Sequence, residues 1–217
     1  MDARGATIRA TVVALAWKVG MRQHAFHTMS AAGFLDWDLE QPDCRHELVD
    51  GVPVAMTGAR QRHDEVVINT MLLIGPQLRA GPCRLFTADV AVRVPNGNVR
   101  RPDVGVHCGS FDDAATYAAA PRLVVEVLSP STRAFDLARK LEEYKSIDSL
   151  DHILLVDPDA PEIILWARTA EQPWTHEIRE GLDATIAMPA LNISLRLPDL
   201  YDGLTFRAAP RLILDGA

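Results

Sequence analysis

Cysteine is scarce in this chain: three residues (Cys44, Cys83 and Cys108) among 217, with no C-x-x-C pair. That count argues against a disulfide scaffold or a zinc knuckle and predicts ordinary reduced thiols in a cytoplasmic protein. Long apolar runs are missing as well, since none reaches the roughly 18 residues of a membrane-spanning helix. Positive charge does not dominate: 22 Lys and Arg face 29 Asp and Glu, a formal net charge of -7. Bulk electrostatic coating of nucleic acid is thereby excluded, although a local basic groove is not. Neither a Gly-rich phosphate loop nor an H-E-x-x-H motif is present. We find no internal repeat and no low-complexity stretch.

What remains is the composition of a soluble globular protein, 48% apolar and 24% charged, long enough for one domain with a real core. Residues 1–28 read as a poorly ordered extension. Thr11–Trp17 (TVVALAW) follows Arg4 and Arg9 in the manner of a faint signal peptide, but Lys18 interrupts it and no cleavage site is evident. The domain is expected over 29–205, with 206–217 as a tail. Ser30 predicts the cap of a short helix carrying Phe34, Leu35 and Trp37, and Asp50-Gly51 marks a hairpin. Helical spacing over 60–80 is expected to kink or end at Gly75-Pro76. Strands follow in CRLFTA, DVAVRV and RPDVGVHC, with a helical piece near 112–119 before RLVVEVLS. A helix from Thr132 to Ser146, capped by Ser131 or Thr132, precedes a meander of HILLVD, EIILWAR and WTHEIRE. The segment TIAMPALNISLRLPDLY is expected to hold one final strand and a short turn. The fold class is α/β, a mixed sheet with helices against its faces.

Glu126 is the first residue that carries chemistry. It interrupts Leu123–Leu128, a run apolar on both faces and hence a central, doubly covered strand. A lone carboxylate buried there costs several kcal/mol, so it needs an Arg, a Lys or a metal ion as partner. The plain alternative is a structural ion pair or a strand end in water. Asp103 follows Pro102 at the start of another apolar strand; alone it reads as a turn former. Paired with Glu126, it makes a two-carboxylate site suited to Mg²⁺. Asp136, Lys140 and Tyr144 stand at i, i+4 and i+8. Spacing alone favours an exposed Asp–Lys pair worth ~0.3 kcal/mol with a surface Tyr, against a face that looks back at Glu126. Glu47 shares a strand face with Val49. His63, near the start of the 60–80 helix, reads first as a surface or capping residue.

In order, Phe34-Leu35-Asp36-Trp37, Glu47-Leu48-Val49-Asp50-Gly51, His63, Arg101-Pro102-Asp103-Val104 and Val125–Thr132 resemble the Uma-two family of restriction-endonuclease-like proteins. Asp136, Lys140, Tyr144 and Leu155-Val156-Asp157-Pro158 complete the likeness, which runs from Met29 to about Leu200. The family belongs to the PD-(D/E)XK nuclease superfamily. The resemblance implies a restriction-endonuclease-like core and a Mg²⁺- or Mn²⁺-dependent hydrolysis of DNA phosphodiesters. It assigns Asp103 and Glu126 as metal-binding acids, Val127 as a backbone oxygen ligand, and Glu47 as an acid that assists metal binding or activates water. It also gives Lys140 a migrated catalytic lysine's role, because Leu128 stands where the superfamily motif has Lys. Another departure is His46, where the family usually has Tyr. His63, Asp136 and Tyr144 would be supporting residues.

Charge adds modest weight. Residues 60–101 hold seven Arg (60, 62, 79, 84, 93, 100 and 101) against three acids, and 102–217 carry a net of -9. These Arg could meet phosphates, or they could be solvated on different faces. Two other functions compete: a degenerate nuclease fold serving as a binding or assembly module, and a metal-dependent hydrolase of small phosphate compounds. A homodimer would suit cleavage of both strands, and no membrane association is expected.

Overall fold

The computed structural model describes residues 28–129 and 136–206; residues 1–27, 130–135 and 207–217, with the expected extension, helix cap and most of the tail, lie outside them. The chain forms α1 (Ala31–Leu39), β1 (His46–Val49), β2 (Val52–Ala55), α2 (Gln61–Leu78), β3 (Arg84–Thr87), β4 (Val92–Arg93), β5 (Val99–Arg100), β6 (Val104–His107) and β7 (Pro121–Val127). A π-helical turn (Asp136–Lys140) then runs into α3 (Leu141–Lys145). It is followed by β8 (His152–Asp157), β9 (Glu162–Ala167), β10 (Thr175–Glu180), β11 (Thr185–Met188), β12 (Ile193–Arg196) and α4 (Leu197–Leu200). No helix among the described residues is long and apolar enough to cross a membrane.

Six strands form the main sheet in the order β10-β9-β8-β7-β6-β3, and four more form a second sheet, β2-β1-β5-β4. In the main sheet only β7 and β8 run parallel. A parallel pair cannot be joined by a tight turn; its connection must cross a face of the sheet. Here the π-helical turn and α3 supply that crossing. They cover the face bearing Val124 and Leu128, where Leu141, Tyr144 and Ile147 build one core. The opposite face, bearing Val125 and Val127, packs under α2, β11, β12 and α4. Both strand neighbours and both covers are apolar, as the uninterrupted Leu123–Leu128 run requires.

Local chemistry explains most boundaries. Ser30 Oγ accepts the Gly33 N–H at 3.1 Å and starts α1. Asp50 and Gly51 both hold positive φ (52° and 79°), giving the two-residue turn that fits the twist of a hairpin. Gly51 is also needed for space, because a Cβ there would stand 2.6 Å from Thr28 Cβ.

Several expectations are corrected. Pro76 does not end α2, which continues to Leu78; the Leu72 carbonyl that loses its N–H donor belongs to an exposed residue and is open to water. Residues 112–119 form turns, with Tyr117 bridging to Ala91, instead of a helix. The final segment is a hairpin of two strands, β11 and β12, turned through Pro189–Leu191 and a left-handed Asn192. Phe206, the last described residue, packs edge-on against Tyr201 at 5.3 Å and under Arg62. Cys83 and Cys108 are joined in a disulfide instead of standing as free thiols. The β3–β6 register that pairs Arg84 with His107 puts them directly opposite, 4.1 Å apart at Cα. Cys44 is free.

Gly105 marks the tightest approach in the sheet. A Cβ on it would stand 2.0 Å from Phe86 Cζ, so the ring lies flat on bare backbone. Gly105→Ala should therefore lower unfolding free energy by about 1–3 kcal/mol in urea titration, and Phe86→Leu in the same chain should recover part of that loss.

Candidate active site

A cleft of about 670 Å³ opens where the ends of β1, β6 and β7 meet the start of α2. Its lining includes Glu47, His63, Asp103, Glu126, Val127 and Lys140. Six of the residues singled out in the sequence are thus brought together from five separate segments. Tyr144 lies behind Glu126, fully buried. The side chain of Asp136 lies outside the described residues, although its backbone begins the π-helical turn.

Glu126 points to the face of β7 that the crossover covers, and the crossover supplies its partners. Lys140 Nζ lies 3.3 and 3.5 Å from its two carboxylate oxygens, and the Tyr144 hydroxyl donates to Oε1 at 2.6 Å. The acid is only 4% exposed and Lys140 7%, so the expected exposed Asp–Lys pair with a surface Tyr is overturned for Lys140 and Tyr144. A π-helical turn ending at Lys140 widens the helix where these side chains must reach the strand. Burial, reinforced by the Glu126 charge, pushes the Tyr144 hydroxyl well above the usual range, so it stays protonated and remains a donor.

Asp103 immediately precedes Val104, which pairs with Val125, so it stands at the start of β6 next to the end of β7 that carries Glu126. Its Oδ2 accepts the Val127 N–H at 2.7 Å and lies 3.4 Å from His63 Nε2. Burial pulls the His63 imidazole down, but the Asp103 hydrogen bond and charge outweigh it, and its pKa is raised.

Glu47 enters from β1. Its Oε1 lies 3.1 Å from Lys140 Nζ, and its Oε2 is 3.1 Å from Arg100 Nη1. Arg100, fully buried, also donates to Glu143 Oε2 at 2.6 Å. Glu143 falls below the usual carboxylate range: burial opposes this, yet Arg100, Asn98 and Arg139 together prevail. Sequence reasoning missed Arg100, Glu143 and Asn98 as parts of the site. The one legible sign was an Arg pair immediately ahead of Pro102-Asp103.

Of the seven Arg, Arg79 is exposed at the end of α2, away from the cleft lining, and five of the other six are engaged within the fold. Arg100 and Arg101 are buried, the latter bonded to Asp38 and to the carbonyls of His46, Ala88 and Asp89. Arg62 ties the Pro158 and Thr205 carbonyls together at 2.8 and 2.6 Å. Arg84 and Arg93 lie over the rings of Phe111 and Tyr117. Arg60, at the start of α2, lines the cleft together with Arg62 and Arg101.

The donor chemistry fits a hard divalent cation. Two carboxylates and a peptide carbonyl at Val127 are oxygen donors, and Mg²⁺ is commonly held by one or two carboxylates with its other positions filled by water or phosphate. Among the described residues no group of three or more His, Cys, Asp or Glu is placed to hold a metal ion of any kind, so a cation here would rest on these two carboxylates and the carbonyl.

This fold and cleft define a restriction-endonuclease-like protein. The chain belongs to the Uma2 family, described as "Putative restriction endonuclease", whose profile matches residues 31–199. Two similar relatives come from Synechocystis sp. One, "Uncharacterized protein slr1290", is 31% identical over 83% of this chain and 95% of its own length. The other, "Uncharacterized protein sll1609", is 25% identical over 76% of this chain and 95% of its own. Among solved structures, a protein described as "a putative nuclease belonging to DUF820" from Anabaena variabilis superposes with a TM-score of 0.63. It is 17% identical and covers 80% of this chain and 97% of its own. That likeness speaks for the fold.

Two outcomes follow from the geometry. Lys140→Met leaves Glu126 and Glu47 buried without their shared cation, so it should cost about 3 kcal/mol of stability by chemical denaturation, far more than an exposed helix lysine. His63 should titrate above the ordinary ~6.5 by NMR in chelator, and Asp103→Asn should lower that value. Because the folded pKa is raised, the protonated imidazole stabilises the fold in full below the unfolded value, and the contribution fades as pH rises through the folded one.

Proposed function

We propose that the protein is an endonuclease that hydrolyses DNA phosphodiester bonds with Mg²⁺ or Mn²⁺ at this cleft. One observation carries the reading: Glu126 and Lys140 are buried against each other at a cleft that Asp103 also lines, in a member of the family described as "Putative restriction endonuclease". Asp103 and Glu126 would hold the cation, with the Val127 carbonyl as a third oxygen. When bound, the cation supplies Lewis acidity and a more acidic water.

The remaining work falls to the chain itself. Lys140 carries a positive charge on the cleft wall, where it can offset charge developing on the non-bridging oxygens. Arg60, the N-cap of α2, and Arg62 in its first turn line the same cleft and add positive charge where a phosphate would lie. His63 holds Asp103 from the outside, and Tyr144 holds Glu126 from within. A symmetric dimer would bring two such clefts to the two strands of a duplex.

A second reading, a binding or assembly module without catalysis, draws support from one feature. Lys140 and Tyr144 already compensate Glu126, so the fold needs no metal to bury it. Calorimetry with Mn²⁺ and a plasmid-nicking assay separate the two. Under the nuclease reading the protein takes up Mn²⁺, nicks supercoiled DNA and loses that activity in chelator. Glu126→Gln should abolish uptake and cleavage together. Lys140→Met should leave Mn²⁺ affinity unchanged or raised and slow cleavage by ~10². A protein that neither takes up Mn²⁺ nor nicks DNA would leave only the binding-module reading.

A further inference from the structure

Glu47 is the acid that the family likeness would send to the metal or to a water, yet its surroundings point elsewhere. Oε1 receives Lys140 Nζ and the Arg101 N–H, each at 3.1 Å, and Oε2 receives Arg100 Nη1 at 3.1 Å. A carboxylate has about four lone-pair sites, so roughly three are occupied by the protein's own donors. Two of those donors are cations. Behind Arg100 stands Glu143, whose Oε2 takes the Arg100 Nε–H at 2.6 Å and whose Oε1 takes Asn98 Nδ2 at 2.7 Å and Arg139 Nε at 3.2 Å.

Charges therefore alternate through the buried wall: Glu143, Arg100, Glu47, Lys140, Glu126, with successive separations of 2.6, 3.1, 3.1 and 3.3 Å. Five charged side chains from β1, β5, β7, the π-helical turn and α3 meet in this line. Lysine is a point charge on a flexible stem and has no planar fork to hold its direction. Lys140 must also be placed from a crossover segment, not from the strand that carries Glu126. Two acids from different strands, Glu47 at 3.1 Å and Glu126 at 3.3 Å, share its ammonium and solve that placement. Should a cation claim Glu126, Lys140 keeps Glu47.

We propose that Glu47 is a positioning residue and not a metal ligand: backed by Arg100 and Glu143, it fixes the Lys140 ammonium at the wall of the cleft. What Lys140 then does rests on the nuclease reading. The holding of Lys140 does not.

Glu47→Gln tests this through three readouts, with Glu126→Gln alongside: Mn²⁺ affinity by calorimetry, plasmid nicking, and the rate at which Lys140 is reductively methylated, read by peptide mass spectrometry. Lys145, on α3 but bonded to Glu142 and not to the cluster, is the internal control. Glu47→Gln should keep the parent's Mn²⁺ affinity, slow nicking by about ten-fold, and speed methylation of Lys140 severalfold with Lys145 unchanged. Arg100→Lys should shift the same readouts in the same direction. Equal acceleration at both lysines would mean a general loosening of the fold, and Glu47→Asp, which keeps the charge but withdraws it by one methylene, then makes the comparison. Loss of Mn²⁺ binding to the extent seen in Glu126→Gln would make Glu47 a ligand and overturn the proposal. Unchanged Lys140 methylation in Glu47→Gln and Glu47→Asp would overturn it as well. A parent protein that neither binds Mn²⁺ nor nicks DNA would sink the nuclease reading, while the methylation rates still decide whether Glu47 holds Lys140.

Discussion

The structure turns on the burial of one carboxylate in its central strand. Glu126 interrupts the apolar Leu123–Leu128 run on β7 and is 4% exposed, in a setting where an uncompensated charge would cost several kcal/mol. Its compensation cannot come from its own strand or from the flanking strands, whose inward residues are apolar. It comes from the segment that crosses the sheet to make β8 parallel to β7. One topological requirement, the crossover, thus meets one electrostatic requirement, the cation and hydroxyl over Glu126.

That coupling extends outward. Lys140, introduced to neutralise Glu126, is itself shared with Glu47 from the second sheet, and Glu47 draws in Arg100 and Glu143. The two sheets are therefore tied by buried charge as well as by apolar contact. Such a network is a poor source of net stability compared with well-packed hydrocarbon, but it specifies one arrangement sharply, since any slip leaves a buried charge alone. A site whose chemistry depends on charge placed to within a fraction of an ångström gains from that sharpness.

The cleft is lined by acids (Glu47, Asp103, Glu126 and Asp159) and by cations (Arg60, Arg62, Arg101 and Lys140) alike, within a chain of net charge -7. Most of the arginines that would suit a phosphate surface by sequence position are spent on structure, capping carbonyls and covering aromatic rings. Attraction of a polyanion to this site would then be local, through a helix start and a few cations, and sensitive to salt.

Much was legible in the residues alone. The helix cap at Ser30, the Asp50-Gly51 hairpin, the alternation of strands and the doubly covered β7 follow from short-range preference and from period, which neighbouring residues decide. Glu126 stood out because a carboxylate in an apolar run is costly wherever the chain folds. Other features were beyond its reach. The exposed-pair reading of Asp136–Lys140 was reasonable by spacing, because i, i+4 neighbours say nothing about which side of a helix meets the sheet. Cys83 and Cys108 became opposed through strand register, and Arg100 found Glu47 and Glu143 across 53 and 43 residues of chain. Sequence by itself determined which groups would need partners, since burial cost is a property of the group and its immediate neighbours. Only the tertiary structure decided who the partners are, because a buried charge is paired by proximity in space, which local preference does not encode.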